Sequence, residues 1–167
     1  MKTIFLDIDG VLAVGRIVRQ ETKWGKIYRF DKKAVTLFNE LLKVTGAEIV
    51  LSSDWGKQHS LQDMREIFEW NGIIKGPISF TVNTPLYEEA ETKEWQAGGR
   101  AWEIKEYVDR HRLTNWLALD DLPLQDSEFE DFFDGHFVFC GRKNEGVKQT
   151  SLQEKAIKIL NGDESNK

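Results

Sequence analysis

Asp7-Ile8-Asp9-Gly10 sets two carboxylates two residues apart, behind the apolar run Thr3–Leu6 and ahead of a glycine. A chain that leaves a strand and turns sharply there can aim one carboxylate at a reacting centre and hold the other over the same ligand. A hard cation such as Mg²⁺ takes oxygen ligands and keeps several of its waters, so a few carboxylates suffice to bind it. Asp120-Asp121 closes another apolar run, Trp116–Leu119, and would complete such a shell. Ser52-Ser53 ends a third, Ala47–Leu51. Either acidic motif alone reads as readily as a turn or a solvated loop, because short motifs recur by chance. A turn does not explain why acids and a serine fall at the ends of three separate strands.

The intervening stretches carry the helical period. Residues 34–44 place Ala34, Val35, Leu37, Phe38, Leu41, Leu42 and Val44 on one stripe, and Thr45-Gly46 stops it. Residues 60–71 repeat the pattern through Leu61, Met64, Ile67, Phe68 and Trp70, and Ala101–His111 repeats it again. His136–Phe139 reads as the last strand. Thr150-Ser151-Leu152-Gln153 has the form of a capping box opening a final helix. Strand–helix alternation implies an α/β fold: a central parallel sheet with helices on both faces, three layers in all. Ligands of such sheets gather at the carboxyl ends of the strands, where Asp7, Ser52 and Asp120-Asp121 would meet.

Two segments break the alternation. Residues 13–30 hold β-type pieces around Arg16–Arg19 and Lys26–Phe30 and read as a small hairpin flap. Residues 76–99 read as a long loop with one strand near Ile78–Phe80, containing Thr84-Pro85 and ending in Gly98-Gly99. The expected organisation is one domain over residues 1–162 with the flap inserted at 13–30, then a frayed tail at 163–167.

The chain has 167 residues, 40% hydrophobic and 31% charged, the make-up of an ordinary soluble domain. No run approaches a membrane span, and the N-terminus lacks the form of a leader peptide. Cys140 is the only cysteine, which rules out an intrachain disulfide and fits a cytoplasmic setting. A net charge of −5 argues weakly against nonspecific nucleic-acid binding, but the distribution is uneven. Residues 16–33 carry seven basic side chains against two acids, a net +5, which leaves −10 for the rest of the chain. Residues 120–134 carry seven carboxylates and no Lys or Arg.

With its motifs in this order, the sequence resembles the haloacid dehalogenase (HAD) superfamily of phosphohydrolases. Ile4-Phe5-Leu6-Asp7-Ile8-Asp9-Gly10-Val11-Leu12 matches the first motif, Ile49-Val50-Leu51-Ser52 the second and Leu117-Ala118-Leu119-Asp120-Asp121 the fourth. Thr84-Pro85 followed by Gly99-Arg100-Ala101-Trp102-Glu103-Ile104 is similar to small HAD domains of nucleic-acid repair proteins. The resemblance implies a Rossmann-like HAD fold with no large cap domain. It implies an Mg²⁺-dependent phosphomonoesterase with Asp7 as nucleophile, forming an aspartyl-phosphate, and Asp9 as general acid and base. Asp7, the Asp9 backbone carbonyl and Asp121 would hold the metal, with Asp120 orienting the shell. Ser52, together with Ser53 and Gly10, would bind the phosphate, and a basic residue would add charge. Arg100 is placed in that basic role, with Lys105 and Lys93 as alternatives.

The flap interleaves its cations with Trp24, Tyr28 and Phe30, which suits an anionic ligand with a stackable base. Arg16, Arg19, Trp24 and Arg29 are the substrate-binding candidates there. The segment reads equally as an exposed hairpin whose aromatics close onto the domain. An uncapped site suits bulky substrates, so a nucleotide or polynucleotide end is the expected phosphate ester. A phosphatase of a small metabolite, a non-catalytic nucleic-acid or protein-binding HAD domain, a receiver-like module phosphorylated at Asp54 and a phosphoryl transferase are the alternatives. Trp55 is expected at the site's edge, and Cys140 and His136 in packing.

Overall fold

Each short apolar strand turns successive side chains to opposite sides, so a sheet built from them has two faces to bury. The computed structural model, which describes residues 1–81 and 93–162, fills both. In chain order the elements are β1 (Thr3–Leu6), β2 (Arg19–Thr22), β3 (Gly25–Tyr28), α1 (Lys32–Thr45), β4 (Glu48–Leu51), α2 (Leu61–Trp70), β5 (Ser79–Phe80), α3 (Lys93–His111), β6 (Trp116–Asp120), α4 (Glu130–Phe133), β7 (Phe137–Phe139) and α5 (Leu152–Asn161). Five strands form a parallel sheet in the order β5-β4-β1-β6-β7.

Ile4, Leu6, Ile49, Leu51, Leu117 and Leu119 point to one layer, where they pack with α1, α2 and α5. Phe5, Val50, Trp116 and Ala118 point to the other, where α3 and α4 supply Ala97, Ala101, Ile104 and Phe133. Each fully buried Leu, Ile or Phe contributes roughly 1.5–3 kcal/mol. The chain is therefore the three-layer α/β sandwich expected, with a hairpin flap and no large cap among the described residues.

The flap is β2 and β3, joined by a two-residue turn at Lys23-Trp24, and its first strand begins at Arg19 rather than Arg16. Three further local expectations change. The helix predicted from Ala101 begins at Lys93 and runs through Gly98-Gly99, which were expected to close a loop. Two glycines cost a helix roughly 1 kcal/mol each. The stripe Ala97, Ala101, Ile104 and Val108, buried against the sheet, outweighs that cost. The capping box at Thr150–Gln153 does not form: Ser151 has φ 65° and its side chain caps nothing. A hydroxyl reaches the free amides of the first turn only from extended backbone. Such a box does form at Ser60 and Asp63, opening α2. Thr84-Pro85 and the tail 163–167 lie outside the described residues. Among the described residues no helix is long and apolar enough to cross a membrane.

Asp31 ties the flap's exit to the C-terminal part of the chain. Its carboxylate accepts from the Ala34 amide at 2.9 Å, capping α1, and from Lys148 Nζ at 2.9 Å. Burial alone pushes its pKa up, but the Ala34 amide and Lys148 outweigh it and hold the carboxyl below its ordinary value. That stabilisation is complete above the unfolded-chain pKa and disappears as the pH falls through the lower folded value. Asp31→Ala is expected to cost about 1–2 kcal/mol at pH 7. Urea unfolding of both proteins should show the gap narrowing toward pH 3; a gap constant over that range would contradict this account.

Candidate active site

The register puts the chemistry together. Leu6 pairs with Leu51 on one side and Leu119 on the other, so the next residues, Asp7, Ser52 and Asp120, emerge side by side. Two backbone bonds carry the alignment one step past the strands: Asp7 N–H to Leu119 O at 3.0 Å and Ser52 N–H to Leu6 O at 2.9 Å. The chain leaves β1 toward β4 on one side and returns to β6 on the other, so this edge is the sheet's switch point.

Asp7, Asp120 and Asp121 each offer a carboxylate oxygen within 4.8 Å of the others, and the first two are buried. Gly10 makes the approach possible. It turns the chain at φ 74°, and a Cβ there would lie 2.3 Å from Asp121 Oδ2, so no larger residue fits. Ser52, only 1% exposed, has a side-chain oxygen without a hydrogen-bond partner. The Ser53 hydroxyl faces Asp7 without closing a hydrogen bond of normal geometry. Buried hydroxyls left open at a carboxylate cluster are places for a ligand's oxygens.

Among the described residues one cation enters this cluster. Arg100, its side chain 10% exposed, lies 2.9 Å from Asp120 Oδ2 and 3.4 Å from Asp7 Oδ1, and donates to the Ser52 carbonyl. Asp54 is 3.9 Å from its other terminal nitrogen. Burial disfavours the Arg100 charge, but Asp120, Asp7 and Asp54 outweigh that and keep it protonated. Burial also pushes Asp7 well above the carboxylate range; Arg100 opposes this and the Asp120 charge adds to it. Asp120 is pushed up to about 6, first by burial, then by Asp121, against the pull of Arg100 and the Leu122 amide. The Leu122 amide donates to Asp120 Oδ1 at 2.9 Å, so both Asp120 oxygens have partners and its geometry is fixed.

Asp9 is exposed and its carboxylate stands outside the three-acid cluster. Tyr28 donates its hydroxyl to Asp9 Oδ1, and Trp55 donates Nε1 to Asp9 Oδ2 at 3.1 Å. Tyr28 and Trp55 meet edge to face at 5.2 Å. Trp55 thus reaches the site's edge as expected. The sequence marks Tyr28 only as one of the flap's aromatics, and nothing in its spacing announces a contact with Asp9. Burial, then the Asp9 contact, drives the Tyr28 hydroxyl's pKa upward and keeps it a donor.

The remaining candidates divide. Arg29 lies over the Trp70 ring at 3.3 Å and donates to its carbonyl, and Trp24 meets Trp70 edge to face at 5.6 Å. Both clamp the flap to α2 instead of facing the acids. Arg16 is exposed ahead of β2. Arg19 faces a cleft that opens beside Asp9. Of the alternatives for the basic role, Lys105 pairs with Asp109 along α3, and the side chain of Lys93 lies outside what is described. Cys140 is buried, with burial and then the nearby Asp120, Asp121 and Asp7 charges raising its thiol pKa, and His136 stacks on Trp116 at 4.4 Å.

The arrangement can hold a divalent cation on hard oxygens and present Asp7 to an anionic group bound near Ser52 and Arg100. Residues 3–151 match the family model described as the HAD domain in Swiss Army Knife RNA repair proteins. No curated protein and no solved structure matches the chain.

Removing one partner of a buried ion pair costs about 3–5 kcal/mol. Arg100→Met is expected to lose that much in urea unfolding at pH 7.5 with chelator present, because Asp7 and Asp120 are left facing each other. Their raised pKa values mean that ionisation, not protonation, is what the fold resists. The loss should therefore shrink at pH 5.5, and an equal loss at both pH values would count against Arg100 as the counter-charge.

Proposed function

The chain belongs to the family of HAD domains found in Swiss Army Knife RNA repair proteins, and from that footing we propose that it is an Mg²⁺-dependent phosphomonoesterase working through Asp7. The observation that carries the reading is the convergence of Asp7, Asp120 and Asp121 beside an unpartnered, buried Ser52 hydroxyl and the Arg100 guanidinium.

Asp7, Asp121 and the Asp9 backbone carbonyl would hold the ion, with Asp120 fixed behind them by Arg100 and the Leu122 amide. The oxygen-only donor set suits Mg²⁺, which when bound would offset the charge by which phosphate and nucleophile repel each other. The Asp7 carboxylate attacks phosphorus in line; a bond forms to its oxygen as the bond to the leaving alcohol breaks. Asp9 gives the departing oxygen its proton, then takes one from the water that splits the aspartyl-phosphate. Tyr28 and Trp55 aim Asp9 for both transfers. The Ser52 hydroxyl donates to an equatorial oxygen and Arg100 stabilises the charge that spreads over the group. Ser53 and Gly10 would complete the phosphate-binding set.

The substrate in this reading is the terminal phosphate of a nucleotide or nucleic-acid strand. Two things support it: the RNA-repair setting of the family and the open edge beside a basic flap.

Phosphate release from an aryl phosphate, nucleoside 3′- and 5′-monophosphates, and phosphorylated DNA and RNA oligonucleotides tests both layers. Turnover should vanish with EDTA and return with Mg²⁺. Asp7→Asn should lower it on the order of 10³-fold or more while the protein stays folded, since the change removes a buried charge the fold resists. Activity that survives Asp7→Asn would end the proposed mechanism. Preference for a sugar phosphate over every nucleotide would leave the Asp7 chemistry and remove the nucleic-acid substrate.

A further inference from the structure

The flap and the turn after Ser53 enclose a second feature beside the three-acid cluster. Arg19, Lys26, Ile27 and Tyr28 of the flap face Asp54, Trp55, Gln58 and His59 across a cleft of about 130 Å³ that opens at Asp9. The hairpin register explains the flap side. Arg19 pairs with Tyr28, and Lys26 lies two residues before Tyr28, so all three side chains share one face of the ribbon; Glu21, the cross-strand partner of Lys26, shares that face but neither lines the cleft nor forms an ion pair with Lys26.

The charges in this cleft are unequally matched. Its acids have partners: Asp9 accepts from Tyr28 and Trp55, and Asp54 pairs with Lys57 at 3.2 Å and lies 3.9 Å from Arg100. Neither Arg19 nor Lys26 forms an ion pair among the described residues, whereas Lys23 pairs with Glu66 and Arg29 is spent on Trp70. The Arg19 guanidinium carbon lies 6.0 Å from the centre of the Tyr28 ring, and the hydroxyl of that ring is on Asp9. Its charge therefore stands beside the tyrosine that holds Asp9, on the cleft side of it. The indole of Trp55 is 7% exposed and surrounded by Tyr28, Phe30 and His59, which leaves it no face for a base. The cleft can offer charge and little stacking.

Resting on the phosphomonoesterase reading, we propose that this cleft binds the first internucleotide phosphate behind the terminal one, through Arg19 and Lys26. The substrate is then the end of a strand, held by its backbone without regard to sequence, and not a free mononucleotide. Phosphate contacts of this kind position a nucleic acid and make its affinity fall with salt.

The test compares wild type, Arg19→Gln/Lys26→Gln and the charge-keeping Arg19→Lys/Lys26→Arg. Substrates are an aryl phosphate, nucleoside monophosphates, and trinucleotides phosphorylated at the 3′ or the 5′ end. Wild type should favour one trinucleotide over its mononucleotide by about tenfold or more in kcat/KM, with the difference in KM. The glutamine pair should lose most of that preference and flatten the salt dependence of log KM by about one unit of slope per cation. The charge-keeping pair should recover both. A wild type that treats trinucleotide and mononucleotide alike, or a glutamine pair that keeps the preference and the salt slope, overturns the inference while aryl phosphate turnover leaves the enzyme reading intact. A wild type that hydrolyses none of these esters in Mg²⁺ defeats the enzyme reading, and the inference with it.

Discussion

Three carboxylates within 4.8 Å of one another, answered by one guanidinium, are the constraint around which the molecule is arranged. With all three ionised they outweigh Arg100 by two charges, which is the charge of the divalent ion their oxygens suit. The parallel register brings Asp7 and Asp120 to this edge; Gly10 lets Asp121 approach; the Leu122 amide and Arg100 fix Asp120. Gathering the three acids does not itself stabilise the fold, although breaking the Arg100 pairs once they are buried costs stability. Burial pushes both buried acids toward their neutral forms, so the apolar layers on either side of the sheet must carry the cost of assembling them. Titratable groups displaced this far from their ordinary range by burial and by one another cluster at functional sites.

The flap divides its positive charge between two tasks. Lys23 and Arg29, with Trp24, fasten the hairpin to α2 through Glu66 and Trp70. That anchorage sets where Tyr28 falls, and Tyr28 falls on Asp9. The basic segment seen in the sequence is thus not one uniform electropositive surface. Part of it is mortar, and the part left over, Arg19 and Lys26, faces the cleft. A two-stranded ribbon without such fastening is marginal in water, so the clamp to α2, together with Ile27 and Phe30 buried in the core, is what allows so small an insertion to hold a side chain against Asp9.

How much of this was legible follows from which physical signal each feature leaves. Asp7, Ser52 and Asp120-Asp121 stand at the ends of apolar runs, and parallel pairing alone brings strand ends together, so their meeting could be reasoned from sequence. The face a hairpin turns inward depends on a one-residue register that no local pattern fixes. Arg29 and Trp24 therefore looked as available to a ligand as Arg19 did. Tyr28 had no distinguishing mark, since its role comes from where the clamp to α2 leaves it. The box read at Thr150–Gln153 fails and the one at Ser60–Asp63 forms, and the backbone angle at the cap is what separates them.

Gly98-Gly99 is the most instructive case because it bears on the site itself. Taken as a break, the pair puts Arg100 at the very start of a helix, where a backbone amide could also serve an anion. In the structure α3 begins at Lys93, so Arg100 lies about two turns inside, with its own amide beyond the open first turn. What it brings to the site is the guanidinium alone. Lys105 lies five residues farther along the same helix, about 7.5 Å away from the sheet's carboxyl edge, and finds Asp109 instead. The choice between Arg100 and Lys105 is therefore one of height and face along α3, and both can be counted only once the helix start is known. Two glycines hid that start, and the buried stripe beneath them, Ala97 to Ala101 to Ile104, is what overrules their preference.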